Sequence, residues 1–295
     1  MSSQNRASLL TVVVALVIGA LIALAGSQHG ATVAGLPVFA LAVAIAFLVQ
    51  IVVYIPSAIA RTERFFDLTG SLTFIAVSVL VLVAVPAPDL RSWVLAAMVI
   101  LWAVRLGSFL FLRIRRSGAD DRFDELKARP LPFLRVWVLQ GLWVSVTASA
   151  AWIAMSVAPE QRAPLGWLSI VGVVVWVVGI TIEVVADAQK SAFRADAAGR
   201  GRFIRTGLWS RSRHPNYFGE ILLWIGVMLV AAPVLTGWQW VALLSPVFVI
   251  LLLTRVSGIP LLEAKADRTW GGDADYEAYK AATPVLIPRL TAPAA

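Results

Sequence analysis

The sequence predicts an all-α, polytopic membrane bundle of about eight transmembrane helices with both termini on the cytoplasmic side. Three observations lead there. Of 295 residues, 59% are hydrophobic and only 14% are charged, against about 25% charged in soluble globular domains. Runs of roughly 20 apolar residues, the length needed to cross a hydrocarbon core, recur from one end to the other. Within them the apolar residues are continuous rather than alternating, and an open sheet edge in lipid leaves backbone groups without partners, so helices are expected rather than strands.

Charge, glycine and proline bound eight such runs, near 8–26, 36–60, 69–87, 92–112, 133–157, 165–187, 216–235 and 238–260. The first, Ser8–Gly26, is followed by further spans and no small-residue cleavage site, so it reads as a retained span rather than a signal peptide. Between the fourth run and the start of the fifth stand Arg113, Arg115, Arg116, Arg122, Lys127, Arg129 and, just inside the fifth, Arg135, and after the sixth stand Lys190, Arg194, Arg200, Arg202, Arg205, Arg211 and Arg213. An even number of spans separates the two groups, so they share a face, and the positive-inside rule makes that face cytoplasmic. The sparse connections near 27–35, 87–91, 158–164 and 235–238 then lie outside. Beyond Leu261 a polar tail remains, and there is no internal repeat.

A net charge of +8 would suggest nucleic acid in a soluble protein. Here most of the excess lies between spans, so the expected partners are membrane lipids, not nucleic acid. The absence of cysteine excludes disulfides, thiolate metal sites and a cysteine nucleophile. With His29 and His214 as the two histidines, no metal centre is expected.

Several residues have no topological reason to be where they are. In the run Thr206 to Glu220 a basic, glycine-containing loop leads straight into an apolar helix, with Pro215 suited to the first helical position. That helix N-terminus, flanked by Arg211, Arg213 and His214, makes a favourable place for an anion such as a phosphate. Asn216 and Glu220 follow one turn apart on one helix face, with Tyr217 beside them. Glu183 and Asp187 form another such pair at the end of the sixth run, where a carboxylate could accept from ribose hydroxyls or an adenine amine while Arg194 and Arg202 clamp phosphates. Either pair could instead balance the basic loops. Arg105 lies within a span, where an arginine needs a partner. Asp67 sits close to the interface at the start of the third run, a position that also suits a carboxylate favoured by the helix dipole.

Taken in order, Leu101-Trp-Ala-Val-Arg-Leu-Gly107, the stretch Arg116–Leu126, Glu183 with Asp187, and the Gly-Leu-Trp…Arg-His-Pro-Asn-Tyr-Phe-Gly-Glu run ending at Glu220 resemble the steroid 5α-reductase-like membrane proteins. The resemblance covers about residues 60–290 and is nearest to a little-characterised branch marked by Asp67-Leu-Thr-Gly70. It implies one membrane domain over 1–295, with residues 1–60 as variable N-terminal spans and 61–290 as a reductase-like core. It further implies a cytoplasmic NADPH pocket and a lateral pocket for an apolar enone or alkene. The family's cofactor positions match Arg105, Asp187, Arg194, Arg202, Asn216 and Glu220, and Glu183 stands where the family has asparagine. Two carbonyl-polarising features of the steroid enzymes are replaced: their tyrosine matches Trp102, and no Gln-Glu pair stands in the first three spans. Asp67, Tyr54 and Tyr217 are then the candidate proton donors. A methyltransferase using S-adenosylmethionine and a lipid-binding protein without turnover are the alternatives; S-adenosylmethionine carries no phosphate to engage the arginines.

Overall fold

The computed structural model describes residues 2–117, 123–196, 199 and 201–290, and the side chains of these apart from 111–117. Arg122, Arg200, residues 118–122 of the Arg116–Leu126 stretch and the side chains of Arg113, Arg115 and Arg116 therefore lie outside the described residues. Ten α-helices follow in order: α1 Ser3–Gly26, α2 Val38–Ile59, α3 Phe66–Ala84, α4 Leu90–Ser117, α5 Pro130–Met155, α6 Trp167–Ala195, α7 Pro215–Ala231, α8 Leu244–Leu251, α9 Ile259–Trp270 and α10 Ala274–Ala282. Among the described residues, eight helical stretches are long and apolar enough to cross a membrane, as the sequence predicts, and the chain is an integral multi-pass membrane protein.

Four details depart from expectation. α1 starts at Ser3 because the Ser2 side chain caps it, accepting from the Asn5 backbone N–H. The connection near 27–35 folds into a two-residue-stranded hairpin, β1 Thr32–Val33 against β2 Leu36–Pro37, turned by Ala34 and Gly35 at φ 50° and 78°. The last span is not a uniform helix: a 3₁₀ segment Gly237–Leu243 precedes α8 and a π turn Leu252–Val256 follows it. Its start is fastened to the end of α1, since Gln239 Nε2 donates to the Gln28 carbonyl and the Trp238 N–H to the Gln28 side chain. The tail beyond Leu261 continues α9 and leads into α10, with Asp273 capping the latter through the Asp275 and Tyr276 N–H groups.

The chain divides into two compact units, one formed by Met1–Ser169 and Met228–Ser245, the other by Ile170–Val227 and Pro246–Ala295. In the first, α5 is the central helix: 83% of its apolar window is buried, against 28% for α1. Its small residues, Ser145 to Ala151, allow α1, α2, α3 and α4 to pack round it. Several buried polar side chains inside this unit donate to one another or to the backbone, which lipid favours. Gln50 Nε2 donates to Thr73 Oγ1 at 2.9 Å, Trp152 Nε1 to Ser78 Oγ at 2.9 Å, and Gln140 Nε2 to the Phe66 carbonyl at 3.0 Å. Arg91, 1% exposed, donates to the carbonyls of Val230 at 2.6 Å, Ala163 at 3.1 Å and Pro164 at 3.0 Å, and to Ser169 Oγ at 3.3 Å.

In the second unit, glycines bring α6 and α7 into backbone contact. A Cβ on Gly179 would lie 2.6 Å from the Leu223 nitrogen, one on Gly219 2.6 Å from the Gly179 oxygen, and one on Gly226 2.7 Å from the Gly172 oxygen. Gly172 and Gly179 are two turns apart on α6, as Gly219 and Gly226 are on α7, so small residues meet along the whole crossing.

Gly219→Leu is expected to lower stability by about 1–3 kcal/mol or more, because backbone cannot move aside as a flexible side chain can. Gly166→Ala, where a Cβ meets nothing within 4 Å, serves as the control, and thermal denaturation in detergent compares the two. Arg91→Leu is expected to cost at least about 3 kcal/mol, since it strands several buried acceptors at once.

Candidate functional site

A cavity of roughly 210 Å³ lies within the second unit, walled by the end of α6, the basic loop before α7, α9 and α10. The loop is pinned from two sides. Against α6, Trp209 Nε1 donates to the Ala186 carbonyl at 3.0 Å and the Leu208 N–H to Gln189 Oε1 at 2.9 Å. Gly207, at φ 62°, has no room for a side chain there, because a Cβ would meet the Gln189 amide at 2.6 Å. On the other side runs the C-terminal segment. The Arg213 N–H donates to the Pro284 carbonyl at 2.9 Å, Ser212 Oγ to the Leu286 carbonyl at 2.8 Å, and the Arg289 N–H to the Arg211 carbonyl at 3.0 Å. Trp270 Nε1 donates to the Gly201 carbonyl at 2.8 Å and the Tyr279 hydroxyl to the Trp209 carbonyl at 2.7 Å. Burial pushes the Tyr279 phenol pKa upward, so it stays protonated as this bond requires.

The cavity walls combine cations with aromatic rings. Lys190, Arg194, Arg202, Arg213 and Lys265 line it together with Trp209, Phe203, Trp270, Tyr276 and Tyr279. Lys190 Nζ lies 4.5 Å above the Trp209 ring, and Phe203 packs on Trp270, Tyr276 and Tyr279 with ring centroids 5.3–5.9 Å apart. Among the described residues, Lys190, Arg194, Arg202 and Lys265 form no ion pair.

At the start of α7 the arrangement differs. Pro215 does take the first helical position, and Arg213 and His214 precede it. The anion beside them is a carboxylate of this chain, that of Glu263 on α9. Its Oε1 lies 2.7 Å from His214 Nε2 and its Oε2 2.6 Å from Arg213 Nη1. A carboxylate only accepts, so His214 carries a proton on Nε2. Its Nδ1 is buried and has no hydrogen-bond partner among the described residues. The Arg213 contact is a close ion pair rather than a directed hydrogen bond, because the Nη1–H groups do not point along it. The His214 ring stacks on Tyr217, 5.7 Å apart and 9° from parallel.

Of the residues singled out in the sequence, Arg194, Arg202, Arg213 and His214 meet at this cavity. Asp187 and Asn216 meet as well, with Asn216 Nδ2 donating to Asp187 Oδ1 at 3.2 Å. Glu183, buried at 4% exposure, lies against Gly219, whose Cβ would be 3.1 Å from its own, and the half-buried Glu220 follows on α7. Arg105, Tyr54 and Asp67 belong to the first unit. The Arg105 guanidinium lies 5.7 Å from the Phe109 ring centroid. The Tyr54 hydroxyl donates to the Pro130 carbonyl at 3.0 Å, and its ring packs on Phe133. Asp67 is half-buried in the first turn of α3. Trp102 is fully buried, edge-on to Phe74 at 5.1 Å.

Sequence reasoning missed Glu263, Trp270, Tyr276 and Tyr279. A signal was available: α9 and α10 carry acidic residues complementary to the basic loop, and one pair is realised as Arg205–Asp275 at 3.2 Å.

A family model described as "Protein of unknown function (DUF1295)" matches residues 53–283, more than three-quarters of the chain. The chain belongs to that family. As a DUF1295 protein it also shows likeness to "Steroid 5-alpha-reductase DET2" of Gossypium hirsutum, at 29% identity over 129 residues, or 44% of this chain. The match spans 45% of that protein's length. Both findings bear out the resemblance to the steroid 5α-reductase-like membrane proteins. No solved structure matches the chain.

Tyr279→Phe is expected to remove about 1 kcal/mol by deleting the bond to the Trp209 carbonyl. Amide exchange resolved along the chain is the check: protection is expected to fall at 201–214 and 276–290 and to remain unchanged in α3 and α5.

Proposed function

We propose that this DUF1295 protein is an NADPH-dependent membrane reductase that saturates a carbon–carbon double bond, of the enone type, in an apolar lipid-, sterol- or isoprenoid-like molecule. One observation carries the reading: four cations without ion-pair partners among the described residues converge on an aromatic-walled cavity. Such a donor set fits phosphates flanked by a flat heterocycle. At roughly 210 Å³ the cavity takes one end of a dinucleotide rather than the whole, given that pockets for drug-sized ligands run to about 300–1,000 Å³.

In this reading Arg194 and Arg202 hold phosphate groups, with Lys190 and Lys265 adding charge. The aromatic wall of Phe203, Trp209 and Trp270 receives the base. Asp187, which accepts from Asn216, is the candidate to receive a ligand hydroxyl, while Glu183 and Glu220 stand on the same pair of helices. Arg105 remains a cofactor candidate in the other unit. The bound cofactor would supply hydride to an activated alkene carbon. The protein's own part is to place the partners, exclude water and deliver a proton, for which Asp67, Tyr54 and Tyr217 are the candidates. Asp67 is the first of these to test, because a carboxylic acid in an apolar pocket can stay neutral and donate. The resemblance to a steroid 5-alpha-reductase supports the substrate class, and the positive-inside rule supports the cytoplasmic placement of the site.

In detergent, NADPH is expected to raise the melting temperature by mass action, and S-adenosylmethionine is not; stabilisation by S-adenosylmethionine alone would sink the reductase reading. Arg194→Ala or Arg202→Ala is expected to weaken NADPH by about tenfold. If the arginine reads the 2′-phosphate, NADH binding is unaffected; equal weakening of both places it on the pyrophosphate. Asp67→Asn is expected to retain NADPH binding and lose at least ~100-fold in turnover. Full turnover in that variant removes Asp67 from the proton-donor role.

A further inference from the structure

We infer that Glu263 is a specificity-determining residue that divides the cavity into a charge-neutralised end and an anion-accepting end, and so fixes where a phosphate-bearing ligand can place its charge. The inference rests on the proposed phosphate-binding role of the cavity and adds a residue and a rule to it. Arg213 and His214 precede the first turn of α7, where helix dipole and side-chain charge together favour an anion. Glu263 supplies one from within the chain, with one oxygen for each neighbour at 2.6 and 2.7 Å. All three side chains are largely enclosed, at 13%, 6% and 22% exposure, so water screens the cluster poorly and the carboxylate acts at close to full strength.

Two consequences follow. A phosphate approaching Arg213 or His214 would meet a carboxylate already bound there, and the like charges would repel at short range. Lys190, Arg194, Arg202 and Lys265 form no ion pair among the described residues, and Asp187 acts on Lys190 only through the field. Phosphate is therefore directed to that group, while the end built from Arg213, His214 and Glu263 suits an uncharged, hydroxyl- or amide-bearing part of the same ligand. The chemical class selected is a molecule charged at one end and neutral but polar at the other.

The experiment measures inorganic pyrophosphate binding to the full chain in detergent at low salt, by calorimetry, for wild type, Arg194→Gln, Arg213→Gln, Glu263→Gln and the Arg213→Gln/Glu263→Gln pair. Expected are a loss of about tenfold in Arg194→Gln and no change in Arg213→Gln. Glu263→Gln, nearly isosteric, is expected to tighten pyrophosphate by about tenfold, the worth of one charge-assisted contact. The double variant is expected to lose that gain. The idea is overturned if Glu263→Gln melts as wild type does and binds pyrophosphate no more tightly, or if its gain survives the loss of Arg213. Should Glu263→Gln not fold, Arg213→Gln alone decides: a loss matching that of Arg194→Gln means that Arg213 is a phosphate ligand despite Glu263. No pyrophosphate binding by wild type overturns it too. If wild type binds pyrophosphate in the expected pattern but not NADPH, the reductase reading fails and the division of the cavity stands.

Discussion

The backbone contact between α6 and α7 is the constraint on which the candidate site depends. In a bilayer there is little hydrophobic gain in bringing two apolar helices together, because lipid tails are as apolar as leucine. Close packing must supply the association, and glycine allows the closest. Where Gly179 meets Gly219, carbonyl and amide groups lie within the space any Cβ would fill. That approach sets the register of the helix ends: Glu183 falls beside Gly219, and Asp187 one turn on reaches Asn216. A larger residue at the crossing would part the helices, and the polar groups at their ends would separate with them.

Arginine serves three physical ends in this chain. Arg91 is sealed in the first unit and made tolerable by four acceptors, three of them carbonyls left over near helix ends and loops. It fastens chain segments far apart in sequence through these acceptors. Arg213 is balanced by a carboxylate, while Arg194 and Arg202 face a cavity. Net charge alone does not distinguish these cases; they differ in what stands within hydrogen-bonding reach of each guanidinium.

The spans were legible because lipid forces continuous apolar runs on any helix that crosses it, and most predicted boundaries fall within a few residues of the observed ones. What was not legible has local causes. The cap at Ser2 extends α1 beyond the apolar run, and the Gln28 side chain and carbonyl hold the start of the last span in a 3₁₀ turn. The site was legible in half. Arg194, Arg202, Arg213 and His214 stand within one short stretch, so their convergence on a single cavity needs only local folding. Glu263 lies 49 residues from His214, and α9 and α10 are short amphipathic helices without a long apolar run. Their acidic residues suit the basic loop, but nothing in their pattern says which of its residues each one meets. Arg205–Asp275 and Tyr279 to Trp209 show that their placement is decided by contacts across the fold.

Charge balance at the cavity bears on which ligand it suits. Five cationic side chains and one carboxylate line it among the described residues. Like charges gathered around a partly enclosed space repel, and the repulsion is relieved only by counter-ions or a bound anion. A ligand carrying several negative charges gains from each cation left unpaired. S-adenosylmethionine, with a sulfonium and an ammonium against one carboxylate, carries a net positive charge that this field repels, although its adenine would suit the aromatic wall. Lipid headgroups carry the right sign, but they have no flat heterocycle to set against Phe203, Trp209 and Trp270. The combination of excess positive charge and an aromatic wall thus supports the proposed reading of a nucleotide bearing several phosphates, through the sign of the field rather than through any one contact.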